Sequence, residues 1–216
     1  MERGIIVIKR IIFDLDNTLI AWKDGYWNSL TKGLDKLNYI YDDDLIKKMI
    51  SAIGNYENKY QIYNKNDMLT LINRYTKETL PSSFIDLWLE ELSSCSEPAS
   101  DEMIETLNYL SNKYDLVVLT NWFALPQINR LKNAGILHFF TEVYSADTNL
   151  MKPNKESYLK AAGEYKASEC LMIGDSLKCD VIGAINVGME AIHFNINNIE
   201  SDYPNILELK ELKDRL

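Results

Sequence analysis

The chain has 216 residues, is 46% hydrophobic and 25% charged, and carries a formal net charge of -9. That is enough apolar content for one buried core, alone or with a smaller inserted domain. The acidity excludes two partner classes, nucleic acid held by counterion release and an anionic membrane surface, and leaves room for a small anionic substrate only where cations are placed locally.

Residues 1–13 are apolar but include Arg3, Lys9 and Arg10. The stretch is too short to span a bilayer and no small-residue cleavage site follows it. A soluble, cytoplasmic protein, monomer or homodimer, is expected. The cysteines, Cys95, Cys170 and Cys179, are odd in number and form no CxxC pair. Reduced thiols are therefore expected rather than a disulfide framework or a zinc site.

Residues 5–13 are rich in Ile and Val and stop at a polar cluster, 14–18. This predicts a buried strand that ends in a functional loop. Residues 20–95 hold no convincing strand. Trp27, Leu30, Leu34 and Leu37 make one helical stripe. Asp42 to Asp44 can cap a second, with Ile46, Met49, Ile50 and Ile53. Asn66 or Asp67 can cap a third, with Met68, Leu71, Ile72 and Tyr75. Pro81 and Ser82 open a fourth, with Phe84, Leu87, Trp88 and Leu92. Four helices between two strands predict an inserted bundle.

Beyond Pro98 and Ser100, Met103, Leu107, Leu110 and Tyr114 repeat with helical spacing, with Asp101 and Glu102 in the favoured first turn. Leu116 to Leu119, Cys170 to Ile173 and Ala191 to Phe194 are short continuous apolar runs, and Glu142 to Ser145 is a weaker one. Ile128, Leu131 and Ala134 form a stripe closed by Gly135. Pro153 can open a helix that runs toward Tyr165. Strand and helix alternate, which predicts a doubly wound parallel sheet.

Four polar clusters follow these strands, at the end of an α/β sheet where ligands bind. In Asp14-Leu15-Asp16-Asn17-Thr18 two carboxylates are two apart, on one side of an extended segment. Their mutual repulsion separates their pKa values, which suits one as nucleophile and the other as proton carrier. An aspartate-rich turn capping a helix is the plain alternative. Thr120-Asn121 offers a hydroxyl and an amide to phosphate oxygens. Lys152-Pro153 places an ammonium where a helix would begin. Gly174-Asp175-Ser176-Leu177-Lys178-Cys179-Asp180 adds two carboxylates, hard ligands of the kind magnesium takes.

Taken in order, these four clusters resemble the motifs of the haloacid dehalogenase superfamily. The resemblance covers the chain apart from the inserted bundle. It implies an α/β fold with a Rossmann-like doubly wound parallel sheet core, residues 1–19 and 96–216, and an α-helical bundle cap, residues 20–95. It further implies that Asp14 is the nucleophile. Asp16 would be the general acid, then the general base. Thr120 and Asn121 would bind the phosphoryl oxygens, and Lys152 would neutralise charge. Mg2+ would be held by Asp14, by the backbone carbonyl of Asp16 and by Asp175, with Asp180 as a ligand or organiser of its waters.

Within that family, dehalogenases and phosphonatases lack an acid at the position of Asp16, so the expected activity is phosphatase, on a small-molecule phosphate ester. Sugar-phosphate mutases share all four motifs but usually carry a histidine early in the cap. Here the histidines are His138 and His193, both outside it. A mutase, or a non-catalytic phosphate-binding protein, is the alternative. Relatives often have Gly where this chain has Trp122. Packing between core and cap is the expected role of that ring. The chain also resembles pyrimidine-nucleotidase-like capped phosphatases at the level of shared motifs. A loop of Trp22, Lys23 and Tyr26 would suit a nucleoside monophosphate by stacking.

Overall fold

The computed structural model describes residues 7–23, 25–76 and 79–216. Ile5 and Ile6 of the expected first strand lie outside them. The short apolar runs form β1 (Arg10–Phe13), β2 (Asp115–Leu119), β3 (Glu142–Tyr144), β4 (Cys170–Gly174) and β5 (Glu190–Phe194), and the two-residue β6 (Asn205–Ile206) completes the sheet. All pairs are parallel, in the order β3-β2-β1-β4-β5-β6. This is the doubly wound order, in which the chain reverses direction beside β1. β6 escapes a sequence reading because two residues carry no periodicity.

Alternation along the strands builds a core on each face. Ile11, Phe13, Leu116, Val118, Leu171 and Ile173 share one buried cluster. Ile12, Val117, Leu119, Cys170 and Met172 share the other. The register pairs Phe13 with both Val118 and Ile173. The residues that follow therefore emerge together at one edge of the sheet.

Between β1 and β2 lie α1 (Gly25–Lys36), α2 (Asp43–Gly54), α3 (Lys65–Ile72) and α4 (Ser83–Ser93). Asp42 caps α2 by accepting from Leu45 N at 2.8 Å. The cap of α3 is Asn64, not Asn66 or Asp67; its side chain accepts from the N–H of both. Tyr75 falls outside α3 and is exposed. Leu34, Ile46, Met49, Phe84 and Trp88 fill the bundle, and Trp122, Phe123, Ala146 and Met151 of the sheet domain join the same cluster. Two backbone bonds fasten the layers, Tyr63 N to Ala146 O at 2.7 Å and Met151 N to Gln61 O at 2.9 Å.

After the bundle come α5 (Asp101–Ser111), α6 (Ala124–Asn133) and α7 (Lys155–Ala162), then a π-helical turn, Leu177–Ile182, that runs into α8 (Gly183–Ile185), and finally α9 (Leu212–Arg215). Ser100 caps α5 through Met103 N. Gly135 and Gly163 follow α6 and α7 with φ of 79° and 61°, a conformation open to glycine. α7 is shorter than the sequence suggests: Asn154 is its N-cap and it ends before Tyr165. Lys152 and Pro153, joined by a cis peptide bond, therefore precede the helix rather than open it. No helix of the described residues is long and apolar enough to cross a membrane.

Candidate active site

Asp14 directly follows β1, and its N–H donates to Ile173 O at 2.8 Å, extending the sheet bonding by one residue. The chain then turns. The carbonyl of Leu15 accepts from Leu19 N and Ile20 N, and Asn17 has φ 60°. Asp14 and Asp16 both line the cavity, from the stretch between β1 and the turn at residues 17–19.

Lys152 is the electrostatic centre of the site. It is 4% exposed, and its Nζ donates to Asp14 Oδ1 and to Asp180 Oδ1, each at 2.7 Å. Asp180 Oδ2 accepts from Ser176 N at 2.9 Å, so both oxygens of that fully enclosed carboxylate are held. Burial pushes the Asp14 carboxyl well above its ordinary value; Asp180 and Asp16 add to the push, and Lys152 opposes it. Burial works against the Lys152 ammonium, but Asp14 and Asp180 outweigh it and hold the pKa above the ordinary lysine value. The Asp175 carboxyl is also raised, by burial first and Asp180 second.

Thr120 extends β2, with its N–H on Tyr144 O at 2.9 Å. Its Oγ1 accepts from Gln127 Nε2 at 2.8 Å, which leaves the hydroxyl proton free to donate elsewhere. Asn121 faces the cavity, but its side chain clamps the backbone of Lys152: Nδ2 donates to Lys152 O at 2.9 Å, and Oδ1 accepts from Lys152 N at 2.7 Å. The Asn121 amide also acts on the Glu57 carboxylate as a hydrogen-bond donor.

Two residues that sequence reading missed complete the site. Gln127 Nε2 also donates to Asp16 Oδ2 at 2.7 Å. Arg130, fully buried, forms an ion pair with Asp16 Oδ1 and anchors its Nε on Cys95 O at 2.9 Å. The apolar stripe of α6 had pointed to Ile128, which is instead 37% exposed. The helix turns a polar face inward because that face is satisfied by ion pairing and hydrogen bonds. The QxxR spacing, two donors one turn apart, is the signal that could have located it.

Carboxylate oxygens of Asp14, Asp175 and Asp180 lie within 4.8 Å of one another. All are hard donors, which fits magnesium. The glycine of the fourth motif is required for this arrangement: a Cβ on Gly174 would stand 2.3 Å from Asp180 Cγ.

A cavity of about 320 Å³ opens above these groups, and cap and core line it together. Trp22, Tyr26 and Trp122 are on its wall, joined by Tyr63, an aromatic of the cap segment, and by Glu57, which sequence reading had not singled out. Lys23 is not; it faces a separate hollow between the two chain segments that enter and leave the bundle. Trp122 is 4% exposed and packs its ring against Tyr26, Tyr63 and Trp88. It thus seals core to cap while presenting an edge to the cavity. His138 is exposed on a short 3-10 turn ahead of β3. His193 is buried in β5 with Nε2 3.0 Å from Asp175 O.

The sequence profile of the haloacid dehalogenase-like hydrolases matches residues 11–194. The chain is 31% identical over 101 residues to the pyrimidine 5'-nucleotidase YjjG of Escherichia coli, covering 45% of each. The matched stretch spans about half the length of the first curated relatives. Over 216 residues the chain is 24% identical to the glyceraldehyde 3-phosphate phosphatase of Methanothermobacter thermautotrophicus, covering 91% of this chain and 89% of that one. The crystal structure of a HAD phosphatase from Thermococcus onnurineus superposes with a TM-score of 0.71 at 26% identity, covering 96% and 97% of the two chains. A profile match over most of the chain, on a sheet that sets the four motifs at one edge, makes this protein a member of the haloacid dehalogenase-like hydrolase family.

Proposed function

We propose that the protein is a magnesium-dependent phosphatase that hydrolyses small phosphate monoesters through an aspartyl-phosphate formed on Asp14, with residues 20–95 acting as a cap over a core of residues 1–19 and 96–216. The observation that carries this reading is the Asp14–Lys152–Asp180 arrangement, in which one buried ammonium holds two carboxylates at 2.7 Å. Lys152 fixes Asp14 at the strand end with one oxygen engaged. The relatives named as phosphatases of a nucleotide and of a sugar phosphate support an ester substrate of that size.

Uncatalysed hydrolysis of phosphate monoesters is so slow that on the order of 20 kcal/mol of barrier must be removed. Positioning and charge neutralisation supply most of it. An Asp14 carboxylate oxygen forms a bond to phosphorus as the bond to the alcohol oxygen breaks. Asp16 gives its proton to that alcohol. Asp16 then takes a proton from a water that attacks the acyl phosphate, which releases phosphate and restores Asp14. Thr120 donates its free hydroxyl proton to a phosphoryl oxygen, and Asn121, beside it, serves the same group by exchanging its contact with Glu57 for one to the phosphoryl oxygen.

Mg2+, held by Asp14, Asp175 and the backbone carbonyl of Asp16, would offset charge on the phosphoryl group. Asp180, with both oxygens already accepting, positions Lys152 and the loop around Asp175. Gln127 and Arg130 are positioning residues for Asp16. Both oxygens of Asp16 are engaged by them, so carrying a proton requires one of these contacts to open.

The test is phosphate release from p-nitrophenyl phosphate, with and without Mg2+, by the wild type and by Asp14→Asn. Mg2+-dependent release that vanishes in the variant is the expected result. Equal release by the variant would remove Asp14 from the mechanism.

A further inference from the structure

The inner end of the cavity and its outer wall differ in charge. Among the described residues that line it, Asp14, Asp16, Asp175, Asp180 and Glu57 are acidic, and Lys152 is the cation. Lys152 is shared between Asp14 and Asp180, and Arg130 sits behind Asp16 as its counter-ion. A divalent ion beside Asp14 and Asp175 would bring that inner end close to neutrality, enough to receive one phosphate group. Nothing on the lining then remains to compensate a second anion.

The wall that faces the alcohol part of an ester comes from the cap. Glu57 stands on a 3-10 turn, Tyr56–Asn58, between α2 and α3. Its side chain lines the cavity while remaining exposed to solvent, and its Oε1 accepts from Tyr63 Oη at 3.3 Å. The rings of Trp22, Tyr26 and Trp122 complete that wall. Lys152 and, less strongly, Lys178 act on Glu57 electrostatically; Lys152 is already bonded to Asp14 and Asp180, and Lys178 does not line the cavity. A hydroxyl or an ammonium on the substrate would donate to Glu57, and aromatic faces favour a cation. A carboxylate or second phosphate would meet a like charge on that wall.

We infer that Glu57 is a specificity-determining residue, and that the substrate is a phosphate monoester whose alcohol part is uncharged or cationic and bears hydroxyl or ammonium donors. Esters with a second anionic group are rejected. The inference rests on the phosphatase reading above.

The experiment compares wild type and Glu57→Gln for phosphate release from glycerol phosphate, phosphoethanolamine and phosphoglycerate in Mg2+, with p-nitrophenyl phosphate as a general probe of activity. The wild type is expected to prefer each of the first two over phosphoglycerate by about tenfold or more in kcat/KM, and Glu57→Gln to narrow that ratio by about tenfold, mainly through the KM for phosphoglycerate. A wild type that takes phosphoglycerate equally well, or a ratio that the substitution leaves in place, overturns the inference while the phosphatase reading stands. No hydrolysis of any ester, p-nitrophenyl phosphate included, overturns both.

Discussion

The guanidinium of Arg130 lies fully buried against the carboxylate of Asp16, a residue 114 positions earlier whose side chain is 31% exposed to the cavity. The pair joins α6 to the loop after β1. The same guanidinium rests on the carbonyl of Cys95, where the chain leaves the bundle. Cap exit, α6 and the first motif are thus held by one side chain.

Removing Asp16 strands that buried charge. Asp16→Ala is expected to lower stability by about 3 kcal/mol, the lower end for a broken buried pair because Asp16 itself reaches solvent. For a chain of this size that is a fall in Tm of roughly 6–12 °C. Thermal unfolding followed by circular dichroism checks it, and a Tm within about 2 °C of wild type would show that the pair holds nothing together.

Gln127 links Thr120 to Asp16 through one Nε2. Gln127→Ala is expected to reduce kcat about tenfold, a fraction of a general acid–base contribution, with KM within about twofold. A rise in KM at constant kcat would instead assign Gln127 to ground-state binding.

Asp14 carries the opposite stability sign. Its folded pKa is raised by burial, with Asp180 and Asp16 adding and Lys152 opposing. A carboxyl whose folded pKa exceeds its unfolded one binds more protons when folded, so stability falls as pH rises from the unfolded toward the folded pKa, and the cost stays above it. Metal-free wild type should therefore lose stability as pH rises above the ordinary carboxylate range. Asp14→Asn should flatten that trend and raise the metal-free Tm at neutral pH by a few degrees. A variant less stable than wild type throughout would mean that the Lys152 contact outweighs the burial cost.

Magnesium should reverse this penalty. At a concentration about a hundredfold above Kd it is expected to stabilise the wild type by about 2.7 kcal/mol. Asp175→Asn should abolish most of the shift while leaving the metal-free Tm equal or higher. Thermal shift titrations with and without chelator provide the measurement, and an Asp175→Asn protein that responds like wild type would exclude Asp175 as a ligand.

Gly174 has no room for a methyl group, since its Cβ would stand 2.3 Å from Asp180 Cγ. Gly174→Ala is expected to destabilise by about 1–3 kcal/mol and to displace Asp180 from Lys152. Phosphate release should fall at least tenfold, and wild-type turnover would show that the loop can shift without consequence.

Much of this protein is written locally. Ile11 to Phe13, Val117 to Leu119 and Leu171 to Ile173 are apolar and stop abruptly at Asp14, Thr120 and Gly174. Strand period and burial depend on near neighbours, so the five longer strands and the polar clusters that follow them could be read directly, whereas the two-residue β6 could not. Helix caps such as Asp42 and Ser100 are equally local. What a side chain pairs with across the fold is not. Ile128 looked like the inward face of α6, yet Arg130 and Gln127 occupy it, because Asp16 and Thr120 satisfy their polar groups from a distance. Lys23 looked like a neighbour of the substrate, and the turn after Asn17 sends it to another hollow. Glu57 reaches the cavity through the packing of the bundle on Ala146 and Met151. The sequence by itself determined which chemical groups are present and on which loops they sit. Only the tertiary structure decided which charges face one another, since that depends on contacts between residues far apart in the chain.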